Sequence, residues 1–571
     1  MCGIFAMTGV SENAIDITLR HLKKLEYRGY DSSGIGALAQ DKIVVSKNVG
    51  ATDQLAIQSL PSKTNTTISH VRWATHGNVT SLNAHPHSLD HCAIVHNGII
   101  ENHQDLIQQY GLEPNTETDS EVILLLYNHF RNTESDPIAT LQQVTQLLTG
   151  SWAIVLVDTA HPQALFFAVN KSPLVLGVGS TGYFIASDPH ALRGLATQVN
   201  YLEDHTVNAV YANQTPPETL KQWHPLPTET FNQTLTMDYY LQQEIYEQPI
   251  VLNNTLETKI PALAKPNQIV LVASGSSYHT ALLAAQHFEA VVDLPCRVFL
   301  SSELKQARIA WQTNTALIAL SQSGETADTI EAVKRWKNSA FYVLSICNVN
   351  ESSLSRLSQY SIITPAGQEV SVGATKTVVS AYLALLKVAD YWSDQTPAHD
   401  YLSMIANTKL ALTNHAAIKK VIQPFIDSQS LYVLGKNTFY PVAMEFALKV
   451  KELCYIHAEA FSSGELKHGP LALIEAGSKV ICLAFKHFEI KKVISNIEEI
   501  RTRGGDILVI TDTPLPELSH SLQVLTLPFE VSIYDVPGVL CILQLFALEL
   551  AIARKINPDR PRNLAKCVTV E

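Results

Sequence analysis

The sequence predicts a multidomain protein, α+β in its first third and α/β beyond it. Three observations carry the prediction. The first 200 residues alternate short strands and hairpins with a few amphipathic helices. After residue 243 apolar, β-rich runs alternate with helical periods, as in parallel layered sheets, and the second half repeats itself. At 571 residues the chain is long enough for three or four domains.

In chain order, Lys42–Lys47, Ala93–Val95, Trp152–Asp158, Ala164–Val169 and Tyr183–Ala186 read as strands, and Ala14–Leu25 and Glu121–Phe130 as amphipathic helices. Gly177-Val-Gly-Ser-Thr-Gly182 spells G-x-G-x-x-G, but a dinucleotide fingerprint opens a helix. The residues behind this one, Tyr183-Phe-Ile-Ala186, are β-rich, so it reads as a hairpin turn. Prolines 216, 217, 225 and 227 among Thr, Asn and Gln mark a linker, and a helical region opens at Gln243–Thr258. Beyond it, Leu271-Val-Ala-Ser-Gly-Ser-Ser-Tyr278 is echoed by Leu431-Tyr-Val-Leu-Gly-Lys-Asn-Thr438, and Ser302-Glu-Leu-Lys305 by Gly464-Glu-Leu-Lys467. The strands Ala316–Leu320 and Val343–Ile346 are matched by Lys479–Ala484 and Ile507–Ile510. Their common spacing implies duplication of a five-stranded, doubly wound unit. The expected domains are 2–210, a linker with leading helix 211–258, 259–398 and 421–561, then a tail 562–571. Val539–Ala553, broken by Gln544 and Glu549, reads as a buried helix too short to span a bilayer.

Composition narrows the partners. A formal charge of −12 with 16% charged residues leaves no basic footprint, so nucleic acid and anionic membrane are excluded as expected partners. Eight cysteines without a C-x-x-C pair argue against zinc and structural disulfides and for a reducing, cytoplasmic setting. The N-terminus lacks the basic segment of a signal peptide.

Residues that carry chemistry come in blocks. Removal of Met1 would give Cys2 a free α-amine, whose pKa of about 7.7–8.0 suits it to take the thiol proton. A nucleophile and its base would then share one residue. In the second half, Leu320-Ser-Gln-Ser-Gly-Glu-Thr-Ala-Asp-Thr329 ends an apolar strand and opens a helix, so that hydroxyls and N–H groups converge as a phosphate cradle. Ser276 and Ser277 sit at the neighbouring strand end. Glu445, Lys449 and Glu452 are spaced i, i+4, i+7 and share one helix stripe. A carboxylate there could move a proton between carbons beside a carbonyl, and a lysine could form an imine. His468 follows on a glycine-proline loop. The tail, stiffened by Pro558 and Pro561, carries Lys566 among apolar neighbours.

Five N-terminal blocks, Cys2-Gly-Ile-Phe, Tyr27-Arg-Gly-Tyr-Asp-Ser-Ser-Gly34, His70-Val-Arg-Trp-Ala-Thr-His-Gly77, His96-Asn-Gly-Ile-Ile-Glu-Asn102 and Thr118-Asp-Ser-Glu121, resemble a class II glutamine amidotransferase domain of the N-terminal-nucleophile hydrolase type. The resemblance implies an αββα sandwich, with Cys2 as nucleophile and Asn97 and Gly98 as oxyanion donors. It implies Arg72 for the glutamine carboxylate, Asp119 for its ammonium, Thr75, His76 and Gly77 lining the pocket, and Trp73 gating an ammonia channel. Each repeat of the second half resembles a sugar isomerase (SIS) domain, which places phosphate on Ser276, Ser277, Ser321, Gln322, Ser323 and Thr326, with Val372 also in the sugar site. Over nearly its whole length the chain is similar to the glucosamine-6-phosphate synthase family. That implies L-glutamine and D-fructose 6-phosphate as substrates, no metal or organic cofactor, and a homodimer in which His468 crosses the interface to assist ring opening. Lys449 would form the imine, Glu452 would move the proton from C2 to C1, and Lys566 would serve isomerisation, with Glu445 completing the stripe.

Some positions depart from the family pattern. Ser274-Gly-Ser-Ser277 stands for an expected Cys-Gly-Thr-Ser, which keeps the hydroxyls, whereas Ala374 replaces a common serine and removes one possible sugar contact. Two rival readings are an amidotransferase feeding a phosphoribosyl acceptor, which would need a pyrophosphate loop with paired acids, and a phosphosugar-binding regulator, which would have no use for Cys2 or the Glu445, Lys449, Glu452 stripe.

Overall fold

The computed structural model describes residues 2–10, 12–39, 41–226, 235–304, 307, 309–393, 400–515 and 522–568. Of the positions discussed above, Met1, Pro227, Lys305, 394–398 and 569–571 lie outside the described residues. The chain divides into two compact units, 1–230 with 567–571, and 231–566.

The first unit holds two antiparallel sheets. In the eight-stranded sheet the order is His224–Pro225, Gln198–Tyr201, Val175–Gly179, Gly182–Ala186, Gly3–Thr8, Thr66–Arg72, Ser32–Ala39, Lys42–Val49. In the five-stranded sheet it is Val207–Tyr211, Ala164–Asn170, Gly150–Asp158, Cys92–Ile100, His87–Ser88. Successive side chains of a strand face opposite ways, and the strand Gly3–Thr8 uses both faces. Ile4 and Ala6 join Ile68, Val95, Val155 and Phe167 in one core between the sheets. Phe5 and Met7 join Leu22 and Ile35 in a second core under the helix Ala14–Lys23. A third core, with Ile94, Leu126, Tyr127 and Phe166, lies against the helices His103–Tyr110, Glu121–Phe130 and Pro137–Leu147. Three cores separate four layers, which makes the unit an αββα sandwich. Gly179 pairs with Gly182 across a two-residue turn, so the G-x-G-x-x-G run is the hairpin that its flanks predict. The proline-rich stretch is less of a linker than its composition suggests, because His224–Pro225 pairs with Gln198–Val199 at the sheet edge.

The second unit contains the repeat. One parallel sheet has the order Cys296–Leu300, Gln268–Ala273, Thr315–Ser321, Tyr342–Cys347, Tyr360–Ile363; the other has His457–Ser462, Ser430–Gly435, Lys479–Ala484, Asp506–Thr511, Gln523–Thr526. Both therefore run 2-1-3-4-5 in their own strand numbering. In this topology the crevice for a ligand opens between strands one and three, at their carboxyl ends. The first copy presents Ser274–Ser277 and Ser321–Ser323 there. In the second copy the same crevice is filled by Phe439, whose ring centroid lies 4.5 Å from that of Phe485 and 4.8 Å from that of Phe488. A single apolar core joins the copies, drawing Leu283, Val379 and Leu383 from the first and Phe439, Val442, Phe446 and Val539 from the second. Leu241, Ile245 and Leu252, from the helices Tyr240–Tyr246 and Gln248–Leu256, join it.

The apolar helix is longer than Val539–Ala553. It runs Val536–Ala553, is long and apolar enough to cross a membrane, and is 89% buried inside the unit. Its two polar breaks are accounted for by partners: Gln544 accepts from Gln248 at 2.6 Å, and Glu549 meets His415 at 2.5 Å.

Candidate active site

The glutamine half is built where the sandwich brings strand ends together. Gly3 pairs with Val71, which sets Cys2 beside Arg72 and Trp73. The Cys2 sulfur accepts from the Trp73 N–H at 3.3 Å and lies 3.5 Å from the Trp73 carbonyl. Burial pushes the thiol pKa up, against the pull of the Trp73 N–H and the Arg72 charge. A thiol so placed needs a base to become a nucleophile. Asn97 sits on the strand Cys92–Ile100, its Nδ2 donating to the Cys2 carbonyl at 3.1 Å and to Ser187 Oγ at 2.8 Å. Gly98 follows with φ +140°.

Arg72 is buried and its guanidinium donates to the carbonyls of His76, Gly77 and Asn78, the last two at 3.2 Å. It thereby folds the Thr75–Gly77 loop around itself, and a substrate carboxylate would compete with these neutral acceptors with the advantage of charge. Trp73 packs edge-on to Tyr30 with centroids 6.3 Å apart, and His76 edge-on to His103 at 5.5 Å. Thr75 is exposed. Asp119 is buried and accepts from the Ile100 N–H at 2.7 Å, which keeps one carboxylate oxygen tied to the Asn97 strand.

The sugar half lies in the second unit, at the switch point of the first parallel sheet. Two helices start there, Gly275–Val292 and Ala327–Trp336, with their unpaired N–H groups turned to the crevice. Ser276, Ser277, Ser321 and Gln322 line one recess with Asn348 and Ala374. Ser321 Oγ accepts from the Gly324 N–H at 3.0 Å and shares a proton with Thr326 Oγ1 at 2.8 Å, while Ser323 Oγ accepts from the Glu325 N–H at 3.1 Å. Gly324 has φ +68°, and a Cβ there would come within 2.0 Å of Ser352 Oγ, so the turn requires glycine.

From the second copy, helix Phe439–Cys454 sends its stripe into the same region. Lys449 Nζ lies 2.6 Å from Glu452 and 3.5 Å from Glu445, and Glu445 accepts from His279 Nδ1 at 2.7 Å. Burial alone would lower the Lys449 pKa, but Glu452 and Glu445 hold it well above the ordinary value. Both carboxylates favour the ammonium form, so an imine at Lys449 would first require that proton to leave, since a nucleophilic lysine needs a free lone pair.

Opposite stand Glu369 and Lys566, paired at 2.5 Å, both buried. Glu369 also accepts from the Thr375 N–H at 2.9 Å and Thr377 Oγ1 at 2.8 Å. Burial would raise its pKa, yet Lys566 and these donors bring it down to about 2. Val372 is half-buried on the same loop, its N–H donating to the Asp559 carbonyl at 3.4 Å. Glu244 anchors that loop by accepting from Val370 N, Ser371 N and Ser371 Oγ. His468 ends the short 3-10 helix Ser463–His468, where the sequence suggested a glycine-proline loop, and like Thr75 it is exposed. His279, Glu369 and Glu244 escaped the sequence reading. His279 had a signal, since it falls three residues after Ser276 and so shares its helix face; Glu369 and Glu244 sit in no motif.

These two centres define a glutamine amidotransferase joined to a pair of sugar isomerase domains. A family model described as a glutamine amidotransferase domain matches residues 79–194, and one described as an SIS domain matches 262–389 and again 425–553. The isomerizing glutamine–fructose-6-phosphate aminotransferases of Photorhabdus laumondii and Haemophilus ducreyi are 36% and 37% identical to this chain, each alignment covering all of both proteins. The chain belongs to the family of isomerizing glutamine–fructose-6-phosphate aminotransferases. Among solved structures, the C-terminal domain of glucosamine-fructose-6-phosphate aminotransferase from Francisella tularensis superposes with a TM-score of 0.53 at 29% identity, covering 57% of this chain and 99% of that one. Glucosamine-6-phosphate deaminase from Thermotoga maritima shares the fold, with a TM-score of 0.51 at 22% identity over 58% of this chain and 99% of that one.

Proposed function

We propose that the chain transfers the amide nitrogen of L-glutamine to D-fructose 6-phosphate and isomerises the product, giving L-glutamate and D-glucosamine 6-phosphate. The observation that carries the reading is the presence in one chain of the Cys2–Asn97 pair and of a buried Glu445, Lys449, Glu452 stripe beside a serine-lined helix N-terminus.

Cys2, freed of Met1, attacks the glutamine amide with its own amine as base and passes through a thioester. Asn97 and the Gly98 N–H receive the oxyanion; Arg72 and Asp119 hold the α-carboxylate and α-ammonium, with Trp73, Thr75, His76 and Gly77 closing the pocket. At the sugar site Ser276, Ser277, Ser321, Gln322, Ser323 and Thr326 take the phosphate. Ammonia condenses with the open ketose at C2, water leaves, and Glu452 carries a proton from C1 to C2, the direction a ketose-to-aldose change requires and the reverse of the one expected from the sequence. Lys449, held as an ammonium, steadies negative charge on the enol oxygen, and Glu445 with His279 fixes its position. Lys566 serves the same charge from the opposite wall. The water released at the sugar balances the one consumed at the thioester.

The exposed His468 motivates a homodimer in which it reaches the partner's sugar site for ring opening. Eight cysteines, six of them buried, fit a cytoplasmic setting. Glutamate release assayed with and without fructose 6-phosphate, together with detection of glucosamine 6-phosphate, tests the reading. Cys2→Ala should lose glutamate release and keep interconversion of fructose and glucose 6-phosphates. Glutamate release with no amino sugar formed would replace the proposed acceptor. For the dimer, a mixture of His468→Ala and Lys449→Ala chains should regain activity that neither has alone, and no regain would remove the shared site.

A further inference from the structure

The glutamine site contains a chain of buried histidines that the mechanism above does not use. His70 Nε2 lies 3.0 Å from the His96 carbonyl and 3.0 Å from Asn97 Oδ1. His85 Nδ1 lies 3.2 Å from both His70 Nδ1 and His70 Nε2, so it meets the face of the His70 ring, the two rings being edge to face at a centroid distance of 4.2 Å. His87 meets His85 edge to face in turn, at a centroid distance of 4.5 Å. No group of three or more metal-ligating side chains is gathered among the described residues.

The proton positions follow from which atoms can only accept. A backbone carbonyl carries no proton, so His70 Nε2 must donate to His96. The same N–H faces Asn97, and an amide NH2 there would oppose it, proton to proton. The Asn97 oxygen must therefore face His70, which turns Nδ2 to Cys2 and Ser187. Ser187 Oγ already accepts from the Ile4 N–H at 2.8 Å, so it offers its remaining acceptor capacity to Asn97. With Nε2–H committed to His96 and Asn97, His70 is the neutral tautomer, and the His85 Nδ1 edge packs on the face of its ring. His85 Nε2 is buried without a hydrogen-bond partner. Burial keeps both rings neutral, the His70 pKa falling to about 3 and that of His85 lying well below its ordinary value.

We propose that His70 is a positioning residue of the glutaminase reaction: through its fixed Nε2–H, supported by His85, it holds the Asn97 amide with its donor side toward Cys2, where the oxyanion forms. The proposal rests on the glutaminase reading of Cys2 and Asn97, and wild-type glutamate release tests that reading separately. An oxyanion donor acts on the transition state, so its loss of orientation should lower kcat and leave the glutamine KM near its original value.

The test uses the full-length protein with Met1 removed. His70→Leu removes the donor and should reduce kcat for glutamate release by ~10²–10³-fold, the range for loss of one oxyanion donor. His70→Gln places an amide N–H near the Nε2 position and should restore most of that rate. His85→Ala, which removes the ring edge packed on the His70 face and so loosens the ring's position, should give an intermediate loss. Alkylation of Cys2 by iodoacetamide needs no oxyanion hole and should proceed at the wild-type rate in all three, which also reports that the site is folded. Wild-type kcat in His70→Leu would overturn the proposal. So would a parallel loss of kcat, glutamine affinity and alkylation that His70→Gln fails to restore, since that pattern marks a residue serving only the fold. If His70→Leu does not fold, His85→Ala decides, and an unchanged kcat in that variant would also overturn it.

Discussion

Replacing Gly98 by alanine tests the oxyanion geometry at the backbone itself. Gly98 has φ +140°, a region that side chains essentially never enter and that costs about 1–3 kcal/mol to occupy. A Cβ built there would lie 2.0 Å from the Ser151 carbonyl oxygen and 2.9 Å from His96 Nε2. Ser151 belongs to the neighbouring strand, paired with Ile99, so the obstacle is backbone and cannot rotate away. Opening that contact to 3.0 Å, below which Cβ atoms are essentially not found, requires the strands to part by about 1 Å. A displacement of that size at a reacting group costs about 10²-fold in rate, and full loss of the donor ~10²–10³-fold. Gly98→Ala should therefore lower kcat for glutamate release by at least about a hundredfold. Interconversion of fructose and glucose 6-phosphates, performed by the other unit, should stay unchanged in the same sample. A variant that melts with the wild type and hydrolyses glutamine at the wild-type rate would show that the Gly98 N–H has no part in the hole.

Three further outcomes are expected. Replacing Ser323 and Thr326 by alanine should raise KM for fructose 6-phosphate and leave that for glutamine alone, each lost charge-assisted donor being worth about 1.5–3 kcal/mol; an unchanged sugar KM would move the phosphate elsewhere. Lys566→Ala should cut sugar isomerisation and amino-sugar formation together while sparing basal glutamate release. It also strips Glu369 of its counter-ion, so stability that Glu369 lends above its ordinary pKa of 4.5, and that falls away as pH drops toward about 2, should shrink in the variant. Glu244 has the opposite sign: burial and the Glu369 charge push its pKa up to about 8, so its contribution is full below 4.5 and is lost as pH rises to about 8. The melting temperature of Glu244→Gln relative to wild type should climb across that interval, and a flat difference would mean that Glu244 is ionised throughout.

Much of this was legible because periodicity and order are local. The helix Glu121–Phe130 has the bounds its pattern predicts, and the strand run Lys479–Ala484 likewise. The duplication was visible because strand ends and turns recur at one spacing. What sequence could not supply were contacts closed over long separations. Glu369 meets Lys566 across 197 positions and His279 meets Glu445 across 166, and no local pattern announces either. The stripe of Glu445, Lys449 and Glu452 was readable as geometry, but its electrostatics were not. Only the fold shows Lys449 buried with Glu452 at 2.6 Å, a setting that favours its ammonium form.

The phenylalanine-filled crevice of the second parallel sheet has a consequence for how this chain can be divided. Phe439, Phe485 and Phe488 pack together where the second copy would otherwise open a crevice like the serine-lined one of the first. In the proposed reaction its helix Phe439–Cys454 instead furnishes Glu445, Lys449 and Glu452 to a site whose serines belong to the first copy, which Glu445 meets at His279. Each copy thus holds half of the chemistry, and neither half is soluble business on its own, since cutting between them would bare the apolar faces of the joint core around Leu383 and Val539. A gene split at that boundary could work only if the two fragments found each other again, so in the proposed reaction the sugar chemistry needs both copies within the unit 231–566.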